Sequence, residues 1–436
     1  PRPALWVYTL WASLGAGLLL KSLVGALFPI AGGIVYLLIT RQLLSARIWQ
    51  RLRPVSGIFL MLVIAVPWHL IAAVRNPPFW EFTMRSAPGD YHGFLWFYFI
   101  NEQLLRFLNM RYPRDYNTVP RVYFWLFHLL WLFPWSVYFP AVLKESFRPA
   151  DRAGRTRLLA LCWSGFILIF FTFSTTQEYY SMPCYPALAL LLGAALAVDG
   201  PRIKYGSRVL VVIAMLGAAA TLGLAAIVWH YPAPGDISQA LESRPGTYTL
   251  ALDHMKDLTI PSFAYLRLPL VIAGLAFLTG AVGLFRARPL QAALSAAVMM
   301  TLFFHAARLA LVVFDPYLSS RPLANALLRA PEGDLIVDHH YYTYSSVFFY
   351  TDRSALLLNG RVNNLVYGSY APDAPDVFID DARFRHLWLS GRREYIVAAE
   401  SRVPQLRELV GDLNVITVAT SGGKVLLTNK MIPTVY

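Results

Sequence analysis

Seven consecutive residues, Ser174 to Tyr180, break an otherwise apolar stretch that runs from Phe170 to Ala189. They bring hydroxyls, an amide, a carboxylate and two phenols together in one turn. Such a set can hydrogen-bond the hydroxyls of a sugar or the oxygens of a phosphate. A plain connection between two helices needs only a few small residues. Gln177, Glu178, Tyr179 and Tyr180 are therefore read as substrate-binding candidates, against the plainer reading of an aromatic turn at a membrane interface.

Other positions carry charge where charge is costly. Glu102 and Arg106 lie four apart in the run Phe94–Phe107, so on a helix they share a face and can pair. The plain reading is a surface pair; the functional one is charge aimed at a headgroup or pyrophosphate. Lys21 interrupts two apolar runs, either snorkelling to the interface or serving as counter-charge for a lipid phosphate. Arg75 opens a long polar segment and is a candidate for the same phosphate. His305 and Arg308 are placed near the outer end of the last apolar run, where an ionisable side chain is either functional or an anchor. Asp338, His339 and His340 hint at a metal, but adjacent strand residues face opposite ways, so no metal site is expected there.

These residues must be held by membrane-embedded elements. The 436 residues are 57% hydrophobic and only 14% charged, with a mean hydropathy of +0.48. No soluble domain of this length hides so much apolar surface, so the chain is read as a polytopic α-helical membrane protein. The two cysteines, Cys162 and Cys184, lie inside apolar runs and read as core residues. The net charge of +13 does not point to nucleic acid, because the basic residues form short clusters between apolar runs. That is the pattern of cytoplasmic loops facing anionic lipid.

Nine apolar runs are read as spans: 4–20, 22–40, 55–74, 119–143, 157–174, 183–199, 208–230, 266–285 and 290–314. The first two are joined as a hairpin with Lys21 at its tip. Basic clusters at Arg41–Arg53, Lys144–Arg157, Arg202–Arg208 and Arg286–Arg288 place every second loop in the cytoplasm. The loops 75–118, 175–182 and 231–265 then face out, as does everything after Phe314. The segment Phe94–Phe107 suits a helix lying at the interface, with Trp96, Tyr98 and Phe99 at headgroup level.

The chain is divided into a membrane region, 1–314, and an extracytoplasmic α/β domain, 315–436. In the latter, strands are expected at Leu335–Val337, Ser346–Tyr350, Ala355–Leu358, Tyr395–Ala398, Val415–Val418 and Lys424–Thr428. Helices are expected at Arg321–Ala330 and Val403–Val410. Tyr341, Tyr342, Tyr344 and Tyr350 could stack on sugars, although alternate aromatics on a strand are more often core.

The turn FFTFSTTQEYYSMPCYPALALLLG resembles the signature turn of bacterial GT-C glycosyltransferases, the protein O-mannosyltransferase and lipid A aminoarabinose transferase superfamily (glycosyltransferase families 39 and 83). The stretch Pro67–Val142, with PWHLIAAVRNPPFWEF and NEQLLRFL, and the hairpin GLLLKSLVGALFP resemble the same family in the same order. The resemblance covers residues 5–200 and, more loosely, the C-terminal domain. It implies about thirteen spans followed by a periplasmic α/β domain, with the first four lying ahead of this chain. It also implies inverting transfer of a sugar from a polyprenyl-phosphate donor to a lipid or protein/glycan acceptor, such as lipid A, at the outer side of the bacterial inner membrane. The family's essential Asp lies in the first outer loop, ahead of Pro1, so the catalytic residue of this chain is unknown. Tyr180 takes the position of a Tyr near the donor phosphate and sugar, with Lys21, Arg75 or Arg106 as phosphate partners. Two departures stand out. Thr175-Thr176-Gln177 replaces a run that often carries Lys in the family, and Gln103 replaces a frequent His. No cofactor is required by the resemblance, and a divalent metal stays open. Two other readings remain: a transporter or flippase of lipid-linked saccharides, and an inactive fragment acting as a scaffold.

Overall fold

The computed structural model describes residues 3–114, 119–174, 178–198, 200–242, 253–285 and 288–432. These fall into two compact units.

The first unit begins with α1 (Pro3–Lys21) and α2 (Leu23–Ile39). The turn between them is made by Ser22 in the left-handed region, φ 63°. A Cβ on Gly25 would sit 2.4 Å from the carbonyl oxygen of Gly17, so the two helices touch backbone to backbone just behind the tip. The Lys21 hairpin expected from sequence is therefore present. A short α3 (Ala46–Leu52) leads into α4 (Pro54–Arg75), which packs along α1.

Residues 93–105 are helical, but Trp96–Leu105 is a ten-residue π-helix, which the sequence reading did not foresee. The run 119–143 is not one straight span. α5 (Arg121–Trp131) and the following limb Trp135–Val142 meet at 96°. Pro134 lies at the break, where its missing N–H cannot continue the helical ladder. α6 (Arg152–Phe173) is capped by Asp151, whose side chain accepts from the Gly154 N–H at 2.6 Å. Phe28 of α2 packs edge-on against Phe170 and Phe171 of α6 at 5.4 and 5.5 Å. A 3-10 turn, Glu178–Cys184, opens α7 (Tyr185–Leu196).

Then come α8 (Pro201–Ile227), α9 (Arg267–Leu284) and α10 (Pro289–Leu318). Among the described residues, seven helices are long and apolar enough to cross a membrane, and the bent pair would make an eighth. The ninth expected run, 22–40, forms α2, an apolar helix of 17 residues. Because α10 continues to Leu318, His305 and Arg308 are exposed mid-helix rather than near its end. Of the expected loop 231–265, residues 243–252 lie outside the described residues.

The second unit ends in a mixed six-stranded sheet. Its strands are β1 (Asp334–Asp338), β2 (Leu356–Leu358), β3 (Phe378–Ile379), β4 (Glu394–Ala399), β5 (Ile416–Ser421) and β6 (Lys424–Thr428). Their order is β3-β2-β1-β4-β6-β5; the first four run parallel, and β6 is antiparallel to both neighbours. One face is covered by α11 (Arg321–Arg329) and α12 (Ser345–Thr351), the other by α13 (Asp381–Trp388) and α14 (Val403–Val410). This is a three-layer α/β arrangement.

The expected strand Ser346–Tyr350 is α12 instead. Tyr344 and Val347 are buried while Phe349 is 80% exposed, a helical spacing of contacts that overrides the β-propensity of Val, Phe and Tyr. The tyrosines Tyr341 to Tyr344 form a 3-10 turn, with Tyr344 in the core. β3 was too short to read, and α13 was missed although Asp380 caps it by accepting from the Arg383 N–H at 2.8 Å.

The sheet carries its own titration signature. Glu394 is 2% exposed, and its Oε2 has no hydrogen-bond partner among the described residues. It stands in register with Asp334. Burial, reinforced by Asp334 and opposed by Arg392, pushes its carboxyl from 4.5 up to about 7. The folded state thus holds more protons than the unfolded chain between these two values, and stability falls as pH rises through that window. Glu394→Gln should remove this slope and be more stable than the parent at pH 8 by about 1–3 kcal/mol. Thermal unfolding of the full chain in detergent at pH 5.5 and pH 8 checks this; equal slopes for both proteins would refute it.

Candidate active site

The π-helix Trp96–Leu105 is seated by three contacts near its start. Trp96 is 1% exposed and donates its indole N–H to the Thr83 carbonyl at 2.7 Å. His92 lies against the Trp96 ring at 4.5 Å and pairs with Glu81 at 3.0 Å. Gly93 has φ 79°, and a Cβ there would fall 2.0 Å from the Pro78 carbonyl oxygen, so only glycine fits.

At the other end, Asn109 adopts φ 59° and the chain folds back, with the Met110 N–H bonding the Leu105 carbonyl at 2.7 Å. The buried Asn101 clamps the returning strand. Its amide donates to the Tyr112 carbonyl at 2.6 Å, and its carbonyl accepts from the Tyr112 N–H at 2.8 Å.

This fold-back brings a second guanidinium to Glu102. Arg106 donates from Nη1 to Glu102 Oε2 at 3.1 Å, and Arg111 donates from Nε to Oε1 at 2.6 Å. The pair expected from sequence is present, but Arg111 was missed. Its nine-residue offset from Glu102 follows no helical rule, and only the Asn101 clamp creates it.

Arg106 also reaches across the fold. Its Nη2 donates to the Tyr180 hydroxyl at 2.9 Å. Tyr180 is held by the Phe171 ring at 5.4 Å and by an edge contact with Tyr179 at the same distance. The turn itself is tied to α6 by the Trp163 indole, which donates to the Pro183 carbonyl at 2.8 Å.

The structure therefore brings Glu102, Arg106 and Tyr180 together and adds Arg111. Among the described contacts, two guanidiniums share the Glu102 carboxylate, one on each oxygen. Glu102 and Arg111 side chains are only 19% and 11% exposed, so water screens them weakly. A phosphate oxygen is the natural ligand of such an arrangement. Lys21 is exposed at the end of α1, and the neighbouring Ser22 accepts from the Gln103 amide at 2.5 Å, tying the hairpin tip to the π-helix. Arg75 is exposed at the end of α4 and is not joined to the cluster. Gln177 lies outside the described residues. Glu178 is placed by its backbone alone, as the first residue of the 3-10 turn.

A set of helices long and apolar enough to cross a membrane, followed by a three-layer α/β domain, makes this a polytopic helical fold, and its likeness to solved structures gives the GT-C type. The crystal structure of ArnT from Cupriavidus metallidurans bound to undecaprenyl phosphate superposes on this chain with a TM-score of 0.71, covering 98% of it and 69% of that chain at 24% identity. The apo form gives 0.69 at 23% identity. In sequence the chain is related to the undecaprenyl phosphate-α-4-amino-4-deoxy-L-arabinose arabinosyl transferases. That of Pectobacterium atrosepticum is 27% identical over 186 residues, 40% of this chain and 32% of that protein. That of Pseudomonas aeruginosa is 28% identical over 202 residues, 45% and 31%. The matched region thus spans about a third of the curated relatives' length. No family model matches the chain.

Proposed function

We propose that the protein transfers a sugar, 4-amino-4-deoxy-L-arabinose, from undecaprenyl phosphate to a lipid A-like acceptor at the outer face of the bacterial inner membrane. In this reading the membrane region ends at residue 314, and the α/β domain from 315 onward lies in the periplasm. The observation that carries it is the bond from Arg106 to Tyr180, which joins the two segments whose sequences resemble the family.

The chemistry follows from the leaving group. An anionic acceptor oxygen, such as that of a lipid phosphate, attacks the anomeric carbon with no proton to lose, the bond from that carbon to the donor phosphate oxygen breaks, and undecaprenyl phosphate departs with the negative charge growing on that oxygen. Arg106 and Arg111 stabilise this charge where water is scarce. Glu102 holds both guanidiniums in position and keeps them from repelling each other. Tyr180 accepts from Arg106, which directs its own hydroxyl proton toward donation. Lys21 adds charge at the hairpin tip, and Tyr179 buttresses Tyr180. Among the described residues, no group of three or more His, Cys, Asp or Glu side chains could hold a metal ion, and no step in this proposal uses one.

A radiolabelled undecaprenyl phosphate-aminoarabinose assay on the full-length natural protein tests the reading. Tyr180→Phe should lower transfer about tenfold, the worth of one hydrogen bond to a charged group, with folding intact. Absence of transfer with any common polyprenyl-phosphate sugar, or full activity of the Tyr180→Phe variant, counts against it.

A further inference from the structure

We infer that the basic turn joining α2 to α4 is a binding site for the phosphodiester headgroup of an anionic phospholipid. No Asp or Glu occurs in the first 80 residues, yet Arg41, Arg47, Arg51 and Arg53 crowd into thirteen positions. None of the four has a carboxylate partner among the described residues. Charge of this density without internal compensation calls for an external anion.

The geometry gives a lipid that carries such an anion a place. α3 buries none of its residues. Arg41 and Arg53, at φ 56° and 47°, turn the chain sharply on either side of it. Between α3 and the start of α4 lies an open, mostly apolar groove lined in part by Trp49, Gln50, Arg53, Val55 and Ser56, with Arg53 its one basic residue. Arg53 is held in place there. Its Nη1 donates to the Tyr8 hydroxyl at 3.4 Å, and its guanidinium carbon lies 5.7 Å from the centre of that ring. Tyr8 also bonds Ser56 Oγ at 3.2 Å. The Trp49 indole donates to the Leu43 carbonyl at 2.6 Å, which sets the ring as one wall.

Apolar groups flank the basic ones. Leu44 is 95% exposed and Val55 85%. An inorganic anion has no use for these, whereas acyl chains do, so the surface fits a lipid rather than free phosphate. The site lies at the opposite end of α1 from Lys21. Tyr8, which holds Arg53, and Lys21 are thirteen residues apart, about 20 Å along the helix. The inference therefore stands apart from the proposed transfer reaction. By the positive-inside pattern the ligand belongs to the inner leaflet.

Native mass spectrometry of the full chain from mixed micelles tests it, with phosphatidylglycerol and phosphatidylcholine as probes. Phosphatidylglycerol should be retained about tenfold more than phosphatidylcholine, and less so as salt rises. The triple variant Arg47→Gln, Arg51→Gln, Arg53→Gln should lose this preference. Equal retention of the two lipids, a preference unchanged in the triple variant, or full suppression by millimolar inorganic phosphate would overturn the assignment. Should the variant fail to fold, the salt titration of the parent chain decides: retention that does not weaken with salt refutes it.

Discussion

Replacing Arg106 by alanine should lower sugar transfer by the full-length natural protein on the order of 10²–10³-fold, with most of the loss in kcat. The side chain holds two partners at once, Glu102 at 3.1 Å and Tyr180 at 2.9 Å. Truncating one member of a partly buried charged pair typically costs about 2–5 kcal/mol, in part because the other charge is stranded. Each ~1.4 kcal/mol is a factor of ten in rate. Arg106→Lys should recover only part of the loss. An ammonium restores the charge, but it lacks the planar fork that reaches a carboxylate and a phenol together. Rates measured with purified, folded variants decide; a folded Arg106→Ala protein at parental rate would remove Arg106 from the site. Glu102→Gln adds a second arm. It should weaken transfer less than Arg106→Ala, since Glu102 is assigned to position the guanidiniums rather than touch the donor.

Asp338→Ala should destabilise the α/β domain by about 2–3 kcal/mol, somewhat below the usual cost of breaking a buried pair, because its partners keep some contact with water. Asp338 is 3% exposed at the end of β1. Arg402 donates to it from Nε at 2.9 Å, and His339 lies 2.8 Å away. Burial alone would raise its carboxyl, but the bonds from His339 and Arg402 prevail and hold it below the usual value of 3.8. A depressed folded value gives stability that is complete above the unfolded value and lost as pH falls through the folded one. The parent domain should therefore lose stability through this group as pH falls below about 4, and the variant should not show that component. Hydrogen exchange at the Leu335–Val337 amides of the intact chain, corrected for intrinsic rates, reads both effects. Unchanged protection in the variant would show that the ion pair contributes nothing.

The helices were legible because bilayer thickness fixes the length of an apolar run, and composition reports that length well. The break at Pro134 was not, since a hydropathy window averages over one residue. The α/β strands were readable wherever alternation and turn residues agreed, as at Tyr395–Ala398 and Lys424–Thr428. They failed at Ser346–Tyr350, where packing rather than propensity decides. In the site, Glu102 and Arg106 were legible as helical neighbours. The bond from Arg106 to Tyr180 spans 74 positions, and no local rule carries information across such a distance. Resemblance supplied what periodicity could not, by placing both segments in one family pattern. Arg111 escaped because its approach depends on a side-chain clamp, Asn101 to Tyr112, that has no sequence signature.

The π-helix at Trp96–Leu105 has a consequence for how this site can vary. Its start is bolted down by Trp96 and Gly93, and its end delivers Glu102 and Arg106 toward Tyr180. A wide helix of this kind stores an extra residue, so the azimuth of the delivered charges is set by residue count rather than by any single contact. Deleting one residue between Phe97 and Asn101 would change how many residues the wide coil holds, and with it the direction in which Arg106 leaves the helix. Single-residue indels there would re-aim the site, whereas substitutions would only change what it is made of.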